Sequence, residues 1–337
     1  MLAKTMARTA LISVLVCILL LSGGCASDGL YTAGWRPSRV LARDAEFVVV
    51  QVGHDDARTL AKRFLGEAER YWVIEDANAP RPVAPGEQII IPLKQRNTSG
   101  IDYHGYQTVP ILCYHRFGDH GDRLEVSEAQ FREQLNYLKA HDYRVIRMAD
   151  LLGFLRGEHA LPKRAVVLTM DDGHRSIYKI AYPLLKEFGF PATLFVYSDY
   201  LDNGGLRWRQ LEEMVDSGLI TVQPHSKTHD NLTLRRRGES DARYRRRLRN
   251  EVNGPTMLLR RRLKHKVEFY AYPYGDANSQ VVEELRVNGL KLGLTVQPHG
   301  NPAFAHPYLL RRTMIFGHRD MEAFKAALEV YTPRDAS

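Results

Sequence analysis

The sequence Lys-Arg-Ala-Val-Val-Leu-Thr-Met-Asp-Asp-Gly-His-Arg-Ser occupies residues 163–176. Its apolar and partly β-branched run at residues 165–168 is typical of a strand that is buried on both faces. The run ends at two adjacent carboxylates, Asp171 and Asp172, which are followed by Gly173. Because like charges repel each other and lose solvation on burial, the pair favours a site where a cation or a proton is shared. The stretch therefore predicts a functional site at the carboxyl end of a strand.

Strand-like and helix-like segments alternate on both sides of this stretch. Apolar runs at residues 109–115 and 192–196 predict strands, and residues 126–141 and 209–216 have amphipathic helical patterns. Repeated βα units of this kind predict an α/β fold with a parallel sheet or barrel. In a barrel, the side chains that carry chemistry lie at the carboxyl ends of the strands.

Two further strand ends carry chemically active residues. His225 and His229 are four positions apart, which on a helical turn places both imidazoles on the same side. The sequence Pro-Tyr-Gly at residues 273–275 follows a third predicted strand at residues 267–272. Two imidazoles and a carboxylate suit a divalent transition metal that keeps open positions for water and substrate. An incidental pair of histidines is the alternative, and the Asp-Asp-Gly sequence argues against it.

Residues 109 to about 325 resemble the NodB-homology polysaccharide deacetylases of carbohydrate esterase type. The matching segments are Thr-Met-Asp-Asp-Gly at 169–173, Pro-Ala-Thr-Leu-Phe-Val at 191–196, His-Ser-Lys-Thr-His at 225–229 and Tyr-Pro-Tyr-Gly at 272–275. The resemblance implies a deformed (β/α) barrel, to which we assign residues 109–330. It also implies an enzyme that hydrolyses the amide bond of N-acetylated sugars in a polysaccharide.

The resemblance further implies roles for individual residues. Asp172, His225 and His229 would hold the metal, with Zn²⁺ expected and Co²⁺, Ni²⁺ or Mn²⁺ as alternatives. Asp171 would be the general base, because a carboxylate beside the coordination sphere can take a proton as water attacks a polarised carbonyl.

The remaining steps need a donor for the oxyanion and an acid for the departing amine. The resemblance assigns the first to the backbone N–H of Tyr274. The acid is assigned to His318, the nearest match to the late histidine of the family. Ala271 stands where the third motif often has arginine, so Arg311 or Arg312 is expected to reach the base from another strand. The residues expected to line the substrate site are His115, Tyr272, Pro273, Trp208 and Arg311; for His115 and Trp208 the alternative is packing in the core.

The N-terminal region has the pattern of an exported protein. Basic residues precede an apolar run at residues 9–21, which predicts a signal peptide over residues 1–24. The sequence Leu-Ser-Gly-Gly-Cys at 21–25 resembles a bacterial lipobox, in which the cysteine is lipidated; ordinary cleavage with a free thiol is the alternative. We therefore expect residues 25–45 to be a tether anchored by Cys25, and the protein to be an outer-membrane lipoprotein that faces the periplasm.

Residues 46–94 have a strand–helix–helix–strand pattern and resemble a LysM module, followed by a polar linker at residues 95–108. The resemblance rests on the opening sequence at 50–55 and on Pro-Gly-Glu-Gln-Ile-Ile-Ile-Pro at 85–92. It implies binding to polymers that contain N-acetylglucosamine, with contacts beside Gly53 and Asn78. A small domain without a ligand is the alternative.

The positive charge is concentrated in residues 235–266, which contain 13 basic and 3 acidic residues in a chain of net charge +8. The pattern predicts a solvated helix with Leu248, Val252 and Leu259 turned inward. Contact with anionic lipid or an acidic polymer is the alternative. Nucleic acid is not an expected partner of an exported chain.

Together these features predict a metal-dependent enzyme that removes N-acetyl groups from an N-acetylglucosamine polysaccharide in the bacterial envelope. The sequence at residues 269–275 favours the exopolysaccharide type of biofilms over the peptidoglycan type. One alternative is a glycan-binding envelope lipoprotein with little or no activity. Another is an esterase that removes acetyl esters, as on xylan.

Overall fold

The computed structural model describes residues 36–94 and 97–334. The predicted signal peptide and the predicted lipidation site Cys25 lie outside these residues. Across the described part of the chain, no helix combines the length and apolar character that a membrane crossing requires.

The first described domain is a small α+β unit. Its elements are β1 (Arg39–Arg43), β2 (Phe47–Gln51), α1 (Ala57–Leu65), α2 (Tyr71–Asn78) and β3 (Gln88–Pro92). Its described strands form an antiparallel sheet in the order β1-β2-β3. Alternation along β2 buries Val48 and Val50 against Leu60, Ile74 and Ile89. The strand–helix–helix–strand elements predicted for this region are present.

β1 differs from the prediction, because it lies in the segment that we expected to be a tether. Arg39 pairs with Gln51 and Arg43 with Val48, so the segment forms an antiparallel ladder along the edge of β2. All five side chains of β1 are exposed, so the sequence has no alternation that would indicate a strand. Backbone pairing with β2 orders the segment.

Gly53 and Asn78, beside which the polymer contacts are predicted, have structural roles inside the small domain. The Asn78 side chain donates to the carbonyls of Ile74 and Ile90, both at 2.7 Å, and accepts from the Ile90 amide at 2.8 Å. A Cβ atom at Gly53 would lie 2.1 Å from the carbonyl oxygen of Arg36. Both residues therefore hold the fold, and binding of a glycan by this domain stays a prediction.

The larger domain alternates strands and helices. Its strands after the linker are β6 (Ile111–Tyr114), β7 (Arg116–Phe117), β8 (Glu125–Val126), β9 (Arg144–Val145), β10 (Ala165–Met170), β11 (Ala192–Val196), β12 (Ile220–Pro224), β13 (Phe269–Ala271), β14 (Leu292–Leu294) and β15 (Thr313–Met314). Its helices are α3 (Glu128–Ala140), α4 (Met148–Leu155), α5 (Tyr182–Phe188), α6 (Trp208–Asp216), α7 (Asp241–Leu263), α8 (Ser279–Val287) and α9 (Met321–Ala326).

The main sheet is parallel and has β10 near its centre. Among the described residues its order is β12-β11-β10-β6-β15, with β9 also paired to β10. Every residue of β10 is buried, as predicted for a strand covered on both faces. β13 and β14 form a separate parallel pair, and the Gln223 side chain links β12 to that pair by accepting from the amides of Glu268 and Phe269 at 2.9 and 3.0 Å. The mixed α/β fold is as predicted, while closure into a barrel stays a prediction.

The predicted linker at residues 95–108 is partly ordered as strands. β4 (Ile101–Asp102) and β5 (Gly105–Gln107) join the C-terminal strand β16 (Tyr331–Pro333) in an antiparallel sheet. Gln107 is buried and its side chain donates to the carbonyl of Pro162 at 2.6 Å. The polar composition that suggested a linker therefore belongs to two short strands, and β5 pairs with a strand more than 200 residues later in the chain.

The basic segment forms α7 and its flanking turns. Leu248, Val252 and Leu259 are buried, as predicted for the inner face of this helix. Arg247 and Glu251 are also buried on that face. Burial of two charged groups requires partners, and their partners lie in the loop that follows β12.

We predict that Asn78→Ala will loosen the small domain. The substitution removes three side-chain hydrogen bonds to the backbone of α2 and β3, each of which contributes about 0.5–1.5 kcal/mol. Hydrogen exchange at the Ile90 amide should become faster in the full chain. Glu87→Ala, an exposed change in the loop before β3, should leave that exchange unchanged. Unaltered protection of Ile90 in Asn78→Ala would contradict the structural role.

Candidate active site

The structure brings together the residues predicted to hold a metal. Asp172 follows β10, and His225 and His229 follow β12. The Nε2 atoms of His225 and His229 lie 3.7 and 3.4 Å from Asp172 Oδ1. That oxygen is buried and has no hydrogen-bond partner among the described residues. One carboxylate oxygen that faces two imidazole nitrogens is a donor set that fits a divalent transition metal.

The backbone at this site adopts conformations that L-residues rarely use. Asp172, Ser226, His229 and Tyr274 have φ values of 72°, 73°, 62° and 62°. Such left-handed conformations of non-glycine residues cost of the order of 1–3 kcal/mol each and persist where the surroundings enforce them. Here they occur in each of the three predicted motifs. Four of the eight non-glycine residues with positive φ in the described chain thus belong to these motifs.

His225 is held in the orientation that a metal ligand needs. Its Nδ1 lies 2.8 Å from the carbonyl oxygen of Ala271 on β13, so Nδ1 carries the hydrogen and donates it. The lone pair of Nε2 then faces the two aspartates. Burial lowers the pKa of His225 and outweighs the attraction of Asp171 and Asp172. The imidazole is therefore neutral at neutral pH, as metal binding requires.

Asp171 forms a buried ion pair with Arg312, which lies just before β15. The two terminal nitrogens of the guanidinium each lie 2.7 Å from one carboxylate oxygen. Arg312 also donates from Nε to the carbonyl of Thr295 at 2.9 Å. Burial raises the pKa of Asp171, but the opposing attraction of Arg312 and His225 is stronger and holds the pKa well below its usual range. Asp171 is thus an ionised carboxylate, as a general base must be.

Arg311, predicted to line the substrate site, is exposed, and its backbone hydrogen-bonds to Asn301. Its neighbour Arg312 is the residue that reaches the base. Alternate residues of a strand point to opposite sides, so a shift of one position decides which arginine is buried. The sequence alone did not decide between Arg311 and Arg312.

His115 lies beside the base. Cys113, His115 and Asp171 each place a ligand-type atom within 4.8 Å of the others, and all three are buried. This group does not fit a metal, since Arg312 occupies both oxygens of Asp171. In addition, burial raises the pKa of the Cys113 thiol, which lies 3.5 Å from the carboxylate. His115 Nδ1 is buried without a partner among the described residues, so it is available to a ligand.

His318 lies in the loop after β15 and is exposed. Its ring packs near Phe316 at a centroid distance of 5.6 Å, and its described contacts include none of the metal-site residues. Tyr274 is 60% exposed, and its ring meets the edge of His229 at 5.0 Å. The role of the Tyr274 backbone N–H at an oxyanion stays a prediction.

Tyr272, Pro273 and Trp208 contribute to packing. Tyr272 and Pro273 are buried, and the Tyr272 hydroxyl donates to the carbonyl of Tyr308 at 2.9 Å. Trp208 is half-buried against the core and lies under Arg262 at 4.9 Å. The structure thus gives no support to the prediction that Tyr272 and Trp208 line the substrate site.

Sequence reasoning did not single out two residues at this site. Tyr197 directly follows β11, and its ring lies 5.2 Å from that of His229. The strand-end rule that found the aspartates could have found it. Glu251 hydrogen-bonds to the backbone between the two histidines, and nothing in its basic surroundings indicated this.

Residues 158–293 match the family model described as Polysaccharide deacetylase. The poly-beta-1,6-N-acetyl-D-glucosamine N-deacetylase of Staphylococcus aureus (strain MRSA252) is 26% identical over 196 residues, which are 56% of this chain and 67% of that protein. IcaB from Ammonifex degensii has a similar structure, with a TM-score of 0.59, 28% identity and coverage of 66% of this chain and 97% of that chain. The deacetylase domain of BpsB from Bordetella bronchiseptica has a TM-score of 0.55, 25% identity and coverage of 62% and 96%.

These similarities support a NodB-homology polysaccharide deacetylase domain in this chain. They also confirm the predicted enzyme class, a hydrolase of the deacetylase type. The LysM assignment and the lipoprotein signal stay predictions.

We predict that Arg312→Met will both destabilise the protein and shift its pH profile. Removal of one partner of a buried pair costs about 3–5 kcal/mol, because the other charge is left uncompensated. Without the guanidinium, burial raises the pKa of Asp171, so the acid limb of any activity should move to higher pH. Denaturant unfolding and a pH–rate profile measure the two effects.

Arg311→Met is the matched control, because the neighbouring arginine is exposed. It should leave both the unfolding free energy and the acid limb unchanged. If Arg312→Met kept the wild-type acid limb, Arg312 would not be what holds Asp171 ionised.

Proposed function

We propose that this protein is a metal-dependent hydrolase that removes N-acetyl groups from an N-acetylglucosamine polysaccharide. The observation that carries the proposal is the buried, unpartnered Oδ1 of Asp172, which faces two imidazole nitrogens beside the ionised carboxylate of Asp171. The relatives named as poly-N-acetylglucosamine N-deacetylases support an exopolysaccharide substrate. Peptidoglycan is the next candidate.

Asp172, His225 and His229 would hold the metal, with Zn²⁺ expected. The chemistry that a divalent ion would supply there is polarisation of the amide carbonyl and a lower pKa of water. Asp171 receives the proton as water attacks the carbonyl carbon, since its carboxylate is ionised and lies beside the metal ligands rather than among them. Arg312 holds both carboxylate oxygens and so keeps the base charged and oriented.

His115 is better placed than His318 to protonate the departing amine. It is buried at the end of β6, next to the end of β10 that carries Asp171, and its Nδ1 has no partner in the described structure. His318 is exposed and packs near Phe316. We therefore assign the general acid to His115, in place of the assignment made from sequence.

We further propose that the enzyme is located in the cell envelope. The sequence of residues 1–25 supports export and attachment to a membrane through a lipid on Cys25, in the outer membrane facing the periplasm. The pattern of residues 46–94 supports attachment to the glycan through the small domain. Both would keep the enzyme close to a polymer of the envelope.

Release of acetate from purified substrates tests the function. With added Zn²⁺, wild-type protein should release acetate from poly-N-acetylglucosamine oligomers faster than from peptidoglycan or acetylxylan. Asp171→Asn should lower turnover at least about 10³-fold and keep the metal, because it removes the base and leaves the ligands. His225→Ala should lose both metal and turnover.

Release of acetate from acetylxylan alone would identify an esterase instead. Tight sugar binding without acetate release from any substrate would identify a glycan-binding protein. Wild-type rates in Asp171→Asn would refute the assignment of the base.

We predict that His115→Ala will lower turnover about 10²- to 10⁴-fold, the usual contribution of a general acid, while metal affinity stays close to that of the wild type. The control is His318→Ala, which should stay within about threefold of wild type because the side chain is exposed. Turnover numbers at saturating substrate and a metal titration measure the two effects. A large loss in His318→Ala with normal turnover in His115→Ala would reverse the assignment.

A further inference from the structure

Helix α7 is hydrogen-bonded to the loop that carries both histidines. Glu251 lies on the inner face of this helix and is 4% exposed. Its Oε2 accepts from the backbone amides of Lys227 and Thr228 at 3.0 and 2.9 Å. Its Oε1 accepts from the Thr228 hydroxyl at 2.8 Å. One carboxylate thus binds the chain immediately before His229.

Arg247 holds the same loop on the other side of His229. It lies one helical turn before Glu251, so both side chains project from one face of α7. Its guanidinium contacts Asp230 at 3.2 Å and the carbonyl of Leu234 at 2.8 Å. It also forms a pair of hydrogen bonds with Glu239 at 2.8 and 2.7 Å. The loop is therefore held immediately before and after the histidine.

His229 needs such support more than His225 does. The Nδ1 of His225 donates to Ala271, which fixes that ring directly. The ring of His229 packs against Tyr197 and Tyr274, but its Nδ1 has no hydrogen bond to the described residues. Its backbone also has a strained φ of 62°. The position of its imidazole therefore depends on the backbone that carries it.

Hydrogen bonds to an ionised acceptor are about twice as strong as those between neutral groups. Those to Glu251 can offset a strain of the order of 1–3 kcal/mol in the loop. Because the accepting carboxylate lies on a long helix packed into the core, it gives the loop a fixed reference point. Groups outside the ligand set that orient the ligands usually affect metal affinity.

We propose that Glu251 is a positioning residue of the metal site. It sets the place of His229 through the backbone of Lys227 and Thr228, and Arg247 fixes the chain on the far side. The inference rests on the metal site of the proposed function. It concerns how that site is held and adds no residue to the reaction itself.

The experiment compares metal affinity among variants of the full chain. Zn²⁺ affinity is measured by competition with a chromophoric chelator, and the geometry of the ligands by the visible absorption of bound Co²⁺. Glu251→Ala should bind Zn²⁺ about 10- to 100-fold more weakly and show an altered Co²⁺ spectrum. Glu251→Gln should recover most of the affinity, because its amide oxygen can accept from both backbone amides while its NH₂ group donates to the Thr228 hydroxyl.

Glu283→Gln is the matched control, because it makes the same glutamate-to-glutamine change outside the loop. Glu283 lies on α8 with a side chain 65% exposed, and its described ion pair is with Arg286. This variant should match the wild type in both Zn²⁺ affinity and Co²⁺ spectrum. A purely structural role for Glu251 would lower the unfolding temperature of Glu251→Ala but leave both metal readouts unchanged. That result would overturn the proposal.

If Glu251→Ala does not fold, Thr228→Val decides the question. It removes the hydroxyl donor and keeps the backbone amides, so a loss of about three- to tenfold in Zn²⁺ affinity is expected. An affinity equal to that of the wild type would again overturn the proposal. Failure of the proposed function is a separate result: the wild-type chain itself would then bind no Zn²⁺, or would bind it and release no acetate.

Discussion

The buried ion pair between Asp171 and Arg312 is the interaction on which the site depends. A carboxylate at the end of a fully buried strand would be costly to keep charged without a partner. Arg312 meets both of its oxygens and is itself completely buried. β15 pairs with β6, and β6 pairs with β10. The position of β15 in the sheet therefore places Arg312 against Asp171, and this contact keeps the base ionised.

Two adjacent aspartates acquire different chemistry from their surroundings. Asp171 is buried, and the guanidinium of Arg312 neutralises it. Asp172 has a φ of 72°, and its Oδ1 faces His225 and His229 instead. His225 Nε2 lies 3.8 Å from the first carboxylate and 3.7 Å from the second. One imidazole thus adjoins both the ligand and the base, which suits a reaction in which water lies between them.

The parts of the site that were predicted from sequence are those encoded locally. Asp171 and Asp172 follow a long apolar run, and His225 and His229 share one short motif, so the neighbouring residues were enough to identify them. Glu251 was not identifiable in this way, and Arg312 was named only as one of two candidates, because each acts on a segment that is distant in the chain. His318 was chosen for its place in a motif, and our proposal of His115 instead rests on burial, which a motif does not contain.

The same distinction applies to the fold. β10 and the elements of the small domain have clear hydrophobic periodicity, and they were predicted. β1, β4 and β5 have exposed or mixed side chains and are ordered by backbone pairing with other segments. A pattern of side chains cannot reveal strands whose stability comes from the main chain of a partner. These strands were accordingly assigned to a tether and a linker.

The ion pair between Asp171 and Arg312 joins residues 141 positions apart in the chain. Contacts between such distant residues require closure of a long loop and form slowly during folding. Without β15 in place, Asp171 has no guanidinium beside it. Burial at the end of β10 would then favour the protonated form of Asp171. Docking of β15 beside β6 therefore supplies the guanidinium that keeps the base ionised, so the last strand of the main sheet contributes to the chemistry as well as to the fold.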